Sequence, residues 1–438
     1  MNSAIVPRLL TALLLALARG VAQADDGPSR ELLLVGRTPT NAEFQGVDTE
    51  GRLLFRTDDG GTIAVARDEL VRWSNPASAR AADELHLVDG SQLGLAAGWG
   101  GDNAIKVDDG AGTATTNLLG KLSLDRAHMR AVFWRLPPDP ARRRELANQL
   151  EAIARDDEDV VMLDNGDSLS GAVVSIAAGD PDGERPSDVT SGAAQDGPHF
   201  VVSLRQRDST TNLPGERLHA VAFAAKSRGD QRAPTERGGS RLIVGLRDGT
   251  RVAADSISAD GEQLAIASAS FAESPRIDPR DVSYLQSRGG RVAYLSDFEP
   301  AAYRHEPYLE LPWPYRRDRN ALDGVLVVGD RTYAKGLGLH SAARLTYELD
   351  VRHARFAAAV AVDDAARGRG SVVFRVFLRR GEELEEAFAS PVMRGGDGPR
   401  PIVVDLAGAT ELSLVVDYAD RGDERDYADW LDARLESP

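Results

Sequence analysis

Five consecutive runs of strict alternation near the C-terminus limit what this chain can become: Leu345, Tyr347 and Leu349; Phe356, Ala358 and Val360; Val372, Phe374, Val376 and Leu378; Ile402, Val404 and Leu406; Leu412, Leu414 and Val416. Apolar side chains at every second position line one face of an extended strand, so five such runs predict an antiparallel sandwich. Just upstream stands Tyr333-Ala334-Lys335-Gly336-Leu337-Gly338-Leu339-His340-Ser341. Two glycines one residue apart inside an alternating run permit a bulge or a close backbone approach, and they deliver His340 and Ser341 to the start of the next strand.

Three further phrases follow in order: Val360-Ala361-Val362-Asp363-Asp364, then Gly368-Arg369-Gly370-Ser371-Val372-Val373-Phe374-Arg375-Val376, then Asp426-Tyr427-Ala428-Asp429-Trp430-Leu431-Asp432-Ala433-Arg434-Leu435. From about Pro300 to Arg434 this set resembles the NPCBM family, galactose-binding-like β-sandwiches of jelly-roll type often attached to secreted glycoside hydrolases. The resemblance implies a carbohydrate pocket formed by loops at one end of the sheets, with His340, Asp363, Asp364, Asp429 and Trp430 at the matched positions. Ala361 departs from the glycine usual before Val362-Asp363-Asp364, which bears on the local turn rather than on the fold.

Upstream, from Glu31 to about Arg288, the text repeats weakly. Leu87-Val88-Asp89-Gly90-Ser91-Gln92-Leu93 matches Leu163-Asp164-Asn165-Gly166-Asp167-Ser168-Leu169 and Leu246-Arg247-Asp248-Gly249-Thr250-Arg251-Val252, each a strand end, an Asp/Asn-Gly turn and an apolar restart. A second phrase closes each unit: Leu70–Trp73, Met129–Trp134, Leu218–Phe223 and Val282–Leu285. The chain therefore reads as mostly β, with tandem small modules resembling SH3-like or Sm-like barrels at 25–74, 83–136, 159–225 and 241–290, ahead of a sandwich at 300–438. The alternative is one long irregular β-structure in which Asp-Gly is merely a common hairpin turn.

One helix, 139–156, interrupts the strands: Asp139-Pro140 supplies a cap and a first-turn proline, and Leu146, Leu150 and Ile153 share a face. The acidic run Asp156-Asp157-Glu158-Asp159 then reads as a solvated break. Ala178 to Pro198 is a disordered insert in the third module, Lys226 to Ser240 a second loop, and Tyr294 to Pro300 the hinge into the sandwich.

Residues 1–24 read as a secretory signal peptide, with Arg8 ending a short basic region, an apolar Leu9 to Ala18 and Ala22-Gln23-Ala24 as cleavage site. Removing Arg8 and Arg19 would take the formal charge of -16 to -18. An acidic surface argues against nonspecific binding of nucleic acid or anionic membrane, and no later apolar run is long enough to span a bilayer. The expectation is an exported protein in the periplasm, on the cell surface or outside the cell. With no cysteine, disulfides and thiolate chemistry are excluded.

The seven histidines include no His-x-x-x-His pair, and no nucleophile elbow, phosphate loop or dinucleotide fingerprint is present. Catalytic residues: none are expected. Sugar binding asks instead for an aromatic face and a few fixed polar groups. His340, Asp363, Asp364, Arg367, Asp429 and Trp430 supply these, with Trp313 and Tyr315 added from composition. Each has a plainer reading: Trp430 as core, His340 as a satisfied sheet-edge residue, and Asp363-Asp364 as a turn cap or the ligands of a structural Ca²⁺, the one cofactor considered. The expected partner is a glycan or polysaccharide, with self-association through exposed strand edges. The rival readings are a protein-contact domain of the envelope and a secreted glycoside hydrolase.

Overall fold

The computed structural model describes residues 30–76, 81–96, 105–108, 110–178, 200–207, 209–224, 240–307, 312–420 and 422–438. The expected signal segment, and nearly all of the two expected loops, lie outside these residues. The described residues are mostly β, with one α-helix, Pro140–Ile153. Among the described residues no helix is long and apolar enough to cross a membrane.

The alternating runs become two antiparallel sheets packed face to face. One orders Arg316–Arg317, Gly336–His340, Tyr427–Glu436, Arg355–Val362 and Arg400–Asp405, and the other orders Ala302–His305, Ala343–Glu348, Glu411–Tyr418, Ser371–Arg380 and Glu383–Ala389. Leu337, Leu345, Phe356, Phe374, Leu414 and Trp430 fill the space between them and are 0% exposed. The glycines of the 333–341 phrase admit close neighbours. A Cβ at Gly338 would collide with the Arg319 carbonyl, and one at Gly336 would stand 2.7 Å from the Trp430 carbonyl. Segment 318–324 can therefore lie directly on the sheet's outer face.

The sandwich sheet begins before Pro300. Val292–Tyr294 pairs antiparallel with Arg434, Leu435 and Glu436, so the stretch expected as a hinge is partly built into the sheet.

In the N-terminal part, the first and last strands of each expected unit pair antiparallel: Glu31–Leu34 with Leu70–Trp73, Glu84–Leu87 with Met129–Phe133, Asp159–Leu163 with Leu218–Ala222, and Arg241–Leu246 with Val282–Arg288. The three Asp/Asn-Gly turns share one geometry. Gly90, Gly166 and Gly249 adopt φ 91°, 87° and 87°, and the preceding Asp89, Asn165 and Asp248 each accept the N–H two residues on, at 2.8, 3.1 and 2.9 Å. Their equivalence has a local cause that requires no long-range contact.

The closing strands also pair with each other, in nested order. Met129–Phe133 joins Leu218–Ala222, the second unit with the third, while Leu285 and Gln286 join Trp73 and Arg72, the fourth with the first. The helix, N-capped by Asp139, lays Leu146, Leu150 and Ile153 over Phe133, Met162 and Ala220 of the inner pair. The acidic run divides: Asp156 to Glu158 are exposed, but Asp159 is 3% exposed, which corrects the solvated reading. It accepts from the Arg126 guanidinium and from the Val173 and Ala224 N–H groups at 2.8 Å each, so its charge is compensated inside the fold.

The outer pair carries the sandwich. Arg72, 5% exposed, donates from Nε to Asp432 Oδ2 at 2.6 Å and also to Glu31, and its guanidinium lies 5.6 Å from the Tyr333 ring centroid. Gly36 N–H donates to Glu436 Oε2 at 3.1 Å, and the Tyr294 hydroxyl donates to the Val71 carbonyl.

Candidate functional site

Antiparallel pairing sets the ends of strands Gly336–His340 and Tyr427–Glu436 side by side, with His340 opposite Tyr427. Leu337 and Leu339 point into the sandwich, so alternation turns His340 to the outer face, where the chain returns across it. Trp313 stacks on the His340 ring with centroids 4.5 Å apart and planes 11° from parallel. Tyr427 lies 5.9 Å from His340 and 6.0 Å from Trp313, and His305, from the edge strand of the other sheet, meets His340 edge-on at 6.1 Å. Trp313, Tyr427 and His305 remain half-exposed while His340 is 3% exposed, so the cluster is an aromatic rim over a buried imidazole.

Beneath it lie polar atoms that make no close intramolecular hydrogen bond among the described residues, His340 Nδ1, Ser341 Oγ and Asp426 Oδ2, although the Ser341 hydroxyl stands near enough to favour the charged form of Asp426. Buried groups in that condition are rare in folded proteins, because each forfeits its hydration without replacement. Burial draws His340 below the usual histidine range, with the Asp423 charge opposing and His305 reinforcing, so the ring is neutral at neutral pH. Burial likewise pushes the Asp426 carboxyl up to about 6, against the Ser371 N–H that it accepts at 2.8 Å and the nearby Ser341 hydroxyl.

The other expected residues are placed elsewhere. Asp363 reaches the same end of the sheet but is a turn cap: its oxygens accept from Asn320 Nδ2 (2.9 Å), Val327 N–H (3.0 Å) and Ala365 N–H (2.8 Å). Those donors occupy the positions a cation would need, which corrects the Ca²⁺ reading of Asp363-Asp364. Asp364 accepts from Asp330 N–H at 3.1 Å, and Arg367 is exposed, closing that turn at φ 54°. Among the described residues no group of three His, Asp or Glu is arranged to hold a metal ion. Asp429 is 0% exposed and faces Asp363; burial first, then the Asp363 charge, pushes its carboxyl well above the ordinary range.

Trp430 requires the plainest correction. It is 0% exposed and meets Phe374 edge-on at 5.2 Å inside the sandwich, so it is core and offers no face to a sugar. Tyr315 donates to Glu299 Oε2 at 3.1 Å and packs on Tyr303 at 5.1 Å, beside the cluster rather than in it.

Five contributors were not among the expected site residues: His305, Ser341, Asp423, Asp426 and Tyr427. Tyr427 stands inside the motif quoted for Asp429 and Trp430, and the alternation Tyr303-Arg304-His305 marks a strand. Nothing local links His305 to His340.

A cleft of about 590 Å³ lies far from the rim, among Arg126, Asp159, Gly171 and Arg205. Its Asp159 is the compensated carboxylate described above, and Asp157 and Glu158 line its mouth as exposed acids with no aromatic ring beside them.

The region that builds the rim, 291–436, matches the NPCBM/NEW2 domain family. Residues 291–436 are an NPCBM domain. NPCBM domains are non-catalytic binding modules. The chain is 35% identical over 110 residues to a Renibacterium salmoninarum protein named as an endo-alpha-N-acetylgalactosaminidase, and 33% identical over 121 residues to alpha-1,3-galactosidase B of Akkermansia muciniphila. These matches cover 25% and 27% of this chain but 7% and 15% of the relatives. Among solved structures, a CBM51 module from Clostridium perfringens GH95 in complex with methyl-galactose is 24% identical, covering 33% of this chain and 99% of that one, with a TM-score of 0.29. A CBM51-2 module with INT domains from Clostridium perfringens ZmpB, in complex with GlcNAc, is 22% identical over 48% of this chain and 45% of that one, with a TM-score of 0.30.

Proposed function

We propose that the protein is an exported, non-enzymatic glycan-binding protein whose NPCBM domain takes a terminal galactose-type sugar at the Trp313–His340–Tyr427 rim, while the N-terminal part serves as its scaffold of tandem small barrels. The observation that carries this reading is the combination of exposed aromatic rings with buried, unpartnered polar atoms directly below them. A pyranose presents an apolar C–H face and a set of hydroxyls, and the rim offers a partner for each. His340 Nδ1, Ser341 Oγ and Asp426 Oδ2 make no close hydrogen bond among the described residues, and a sugar hydroxyl can supply one to each.

One such site corresponds to a Kd between micromolar and millimolar, roughly -8 to -4 kcal/mol, so retention on a polysaccharide draws on repeated epitopes. A glycan array probed with the full chain, followed by calorimetry on hits, tests the reading. Trp313→Ala and His340→Ala should keep the fold and weaken binding at least tenfold, about 1.4 kcal/mol. A folded wild-type chain that binds no glycan moves the domain to the protein-contact reading. Release of reducing sugar from mixed glycans would return the hydrolase reading.

A further inference from the structure

Strand Ala302–His305 holds Trp313 at two points. Period two puts Tyr303 and His305 on one face, and both reach the backbone of the same residue: the Tyr303 hydroxyl donates to the Trp313 carbonyl, and the Trp313 backbone N–H donates to His305 Nδ1 at 3.2 Å. The second bond fixes the state of the imidazole. A ring nitrogen that accepts carries no proton, so His305 is neutral with its proton on Nε2. Add a proton, and two N–H groups face each other.

We propose that His305 is a positioning residue: its neutral imidazole keeps Trp313 stacked on His340, and its protonation releases the indole and weakens glycan retention in acid. This rests on the glycan-binding reading of the rim. The groups facing His305 are few. His340 meets it edge-on from the neighbouring sheet, the Ser341 backbone and the Asp423 charge both favour its protonated form, and Arg304 and Glu306 flank it as an ion pair. Burial outweighs them and holds His305 below its ordinary range, so the change falls on the acid side of about pH 6.5. His340 has the opposite relation to Trp313. A proton there would place a cation against an indole face, which is attractive, so protonating His340 does not release the ring.

The test uses the full chain labelled with 5-fluorotryptophan and needs no sugar. Its ¹⁹F spectrum is followed from about pH 8 to about pH 5, with Trp313→Phe assigning the resonance. The Trp313 signal should shift with a midpoint below about 6.5. His305→Asn places a non-titrating amide oxygen near the Nδ1 position, so it should keep the neutral-pH signal and abolish the transition, whereas His305→Ala should show the acid-like signal throughout. A wild-type signal indifferent to pH, or a transition that survives His305→Asn, overturns the proposal. Retention on a galactose-bearing resin should drop about tenfold between neutral pH and about pH 5 for wild type and stay level for His305→Asn. If the resonance moves while retention stays level in wild type, the functional half is wrong. No retention at either pH sinks the glycan reading of the rim, and the resonance still decides whether acid unseats Trp313.

Discussion

Asp159 in the N-terminal part and Asp429 in the sandwich are both aspartates buried in strands, and the fold treats them differently. Asp159 is met by a guanidinium and two backbone N–H groups, while Asp429 faces a second carboxylate, that of Asp363, to which only its protonated form can donate. The first is surrounded by donors that compensate a carboxylate; the second is pushed toward the neutral acid by burial and by the neighbouring Asp363. Fully satisfied polar groups fix a shape, whereas unsatisfied ones near a surface mark where something else can bind. In the sandwich such atoms collect at the His340 end, beneath the rings.

The contrast can be broken by substitution. The largest effect should come from Arg126→Ala, which strands the Asp159 carboxylate in the interior and should cost about 3–5 kcal/mol in urea unfolding. A loss below about 1 kcal/mol would mean that the charge is not compensated by that pair. Next, Gly338→Ala should cost about 1–3 kcal/mol, since the added methyl meets backbone at 319–320 that cannot step aside. Circular dichroism melts would show it, and an unchanged Tm would contradict the close approach.

Asp426→Asn sharpens the pH side. The native carboxyl sits at about 6, against roughly 3.9 in an unfolded chain. Between those values the fold holds the proton more tightly, so this contribution to stability is full below about pH 4 and is lost as pH rises through 6. The Tm of wild type minus that of Asp426→Asn should therefore fall across that window; a rise would reverse the assignment. Smallest of all is Arg130→Ala. Its pair with Glu151 has side chains 53% and 67% exposed, so the change should stay within about 0.5 kcal/mol.

Much of the fold was legible because its causes are local. Alternation turned each of the five runs into a strand, and the Asp-Gly turns carry their geometry in two residues. The site was harder to read. Trp313 and Trp430 look equally suited to a sugar on paper, yet only strand phase separates them: Trp430 shares parity with Ala428 and enters the core, while Tyr427 and Asp429 face out. The left-handed Asp432, at φ 48°, interrupts that parity two residues later and obscures it in the text. His305 reaches His340 only because strands from different sheets end together, which no spacing rule encodes.

The nested pairing of closing strands bears on how the molecule assembles. Trp73 waits for Leu285, so the edge of the first unit stays open until the fourth has been made, whereas the second and third can close between themselves. Contacts that bridge so much sequence form late and slowly. The inner pair sits as an insertion within the outer one, tied to the fourth unit where Gln92 pairs with Arg251, and a chain cut short before Val282 would display an unpaired strand edge of the kind that recruits other chains.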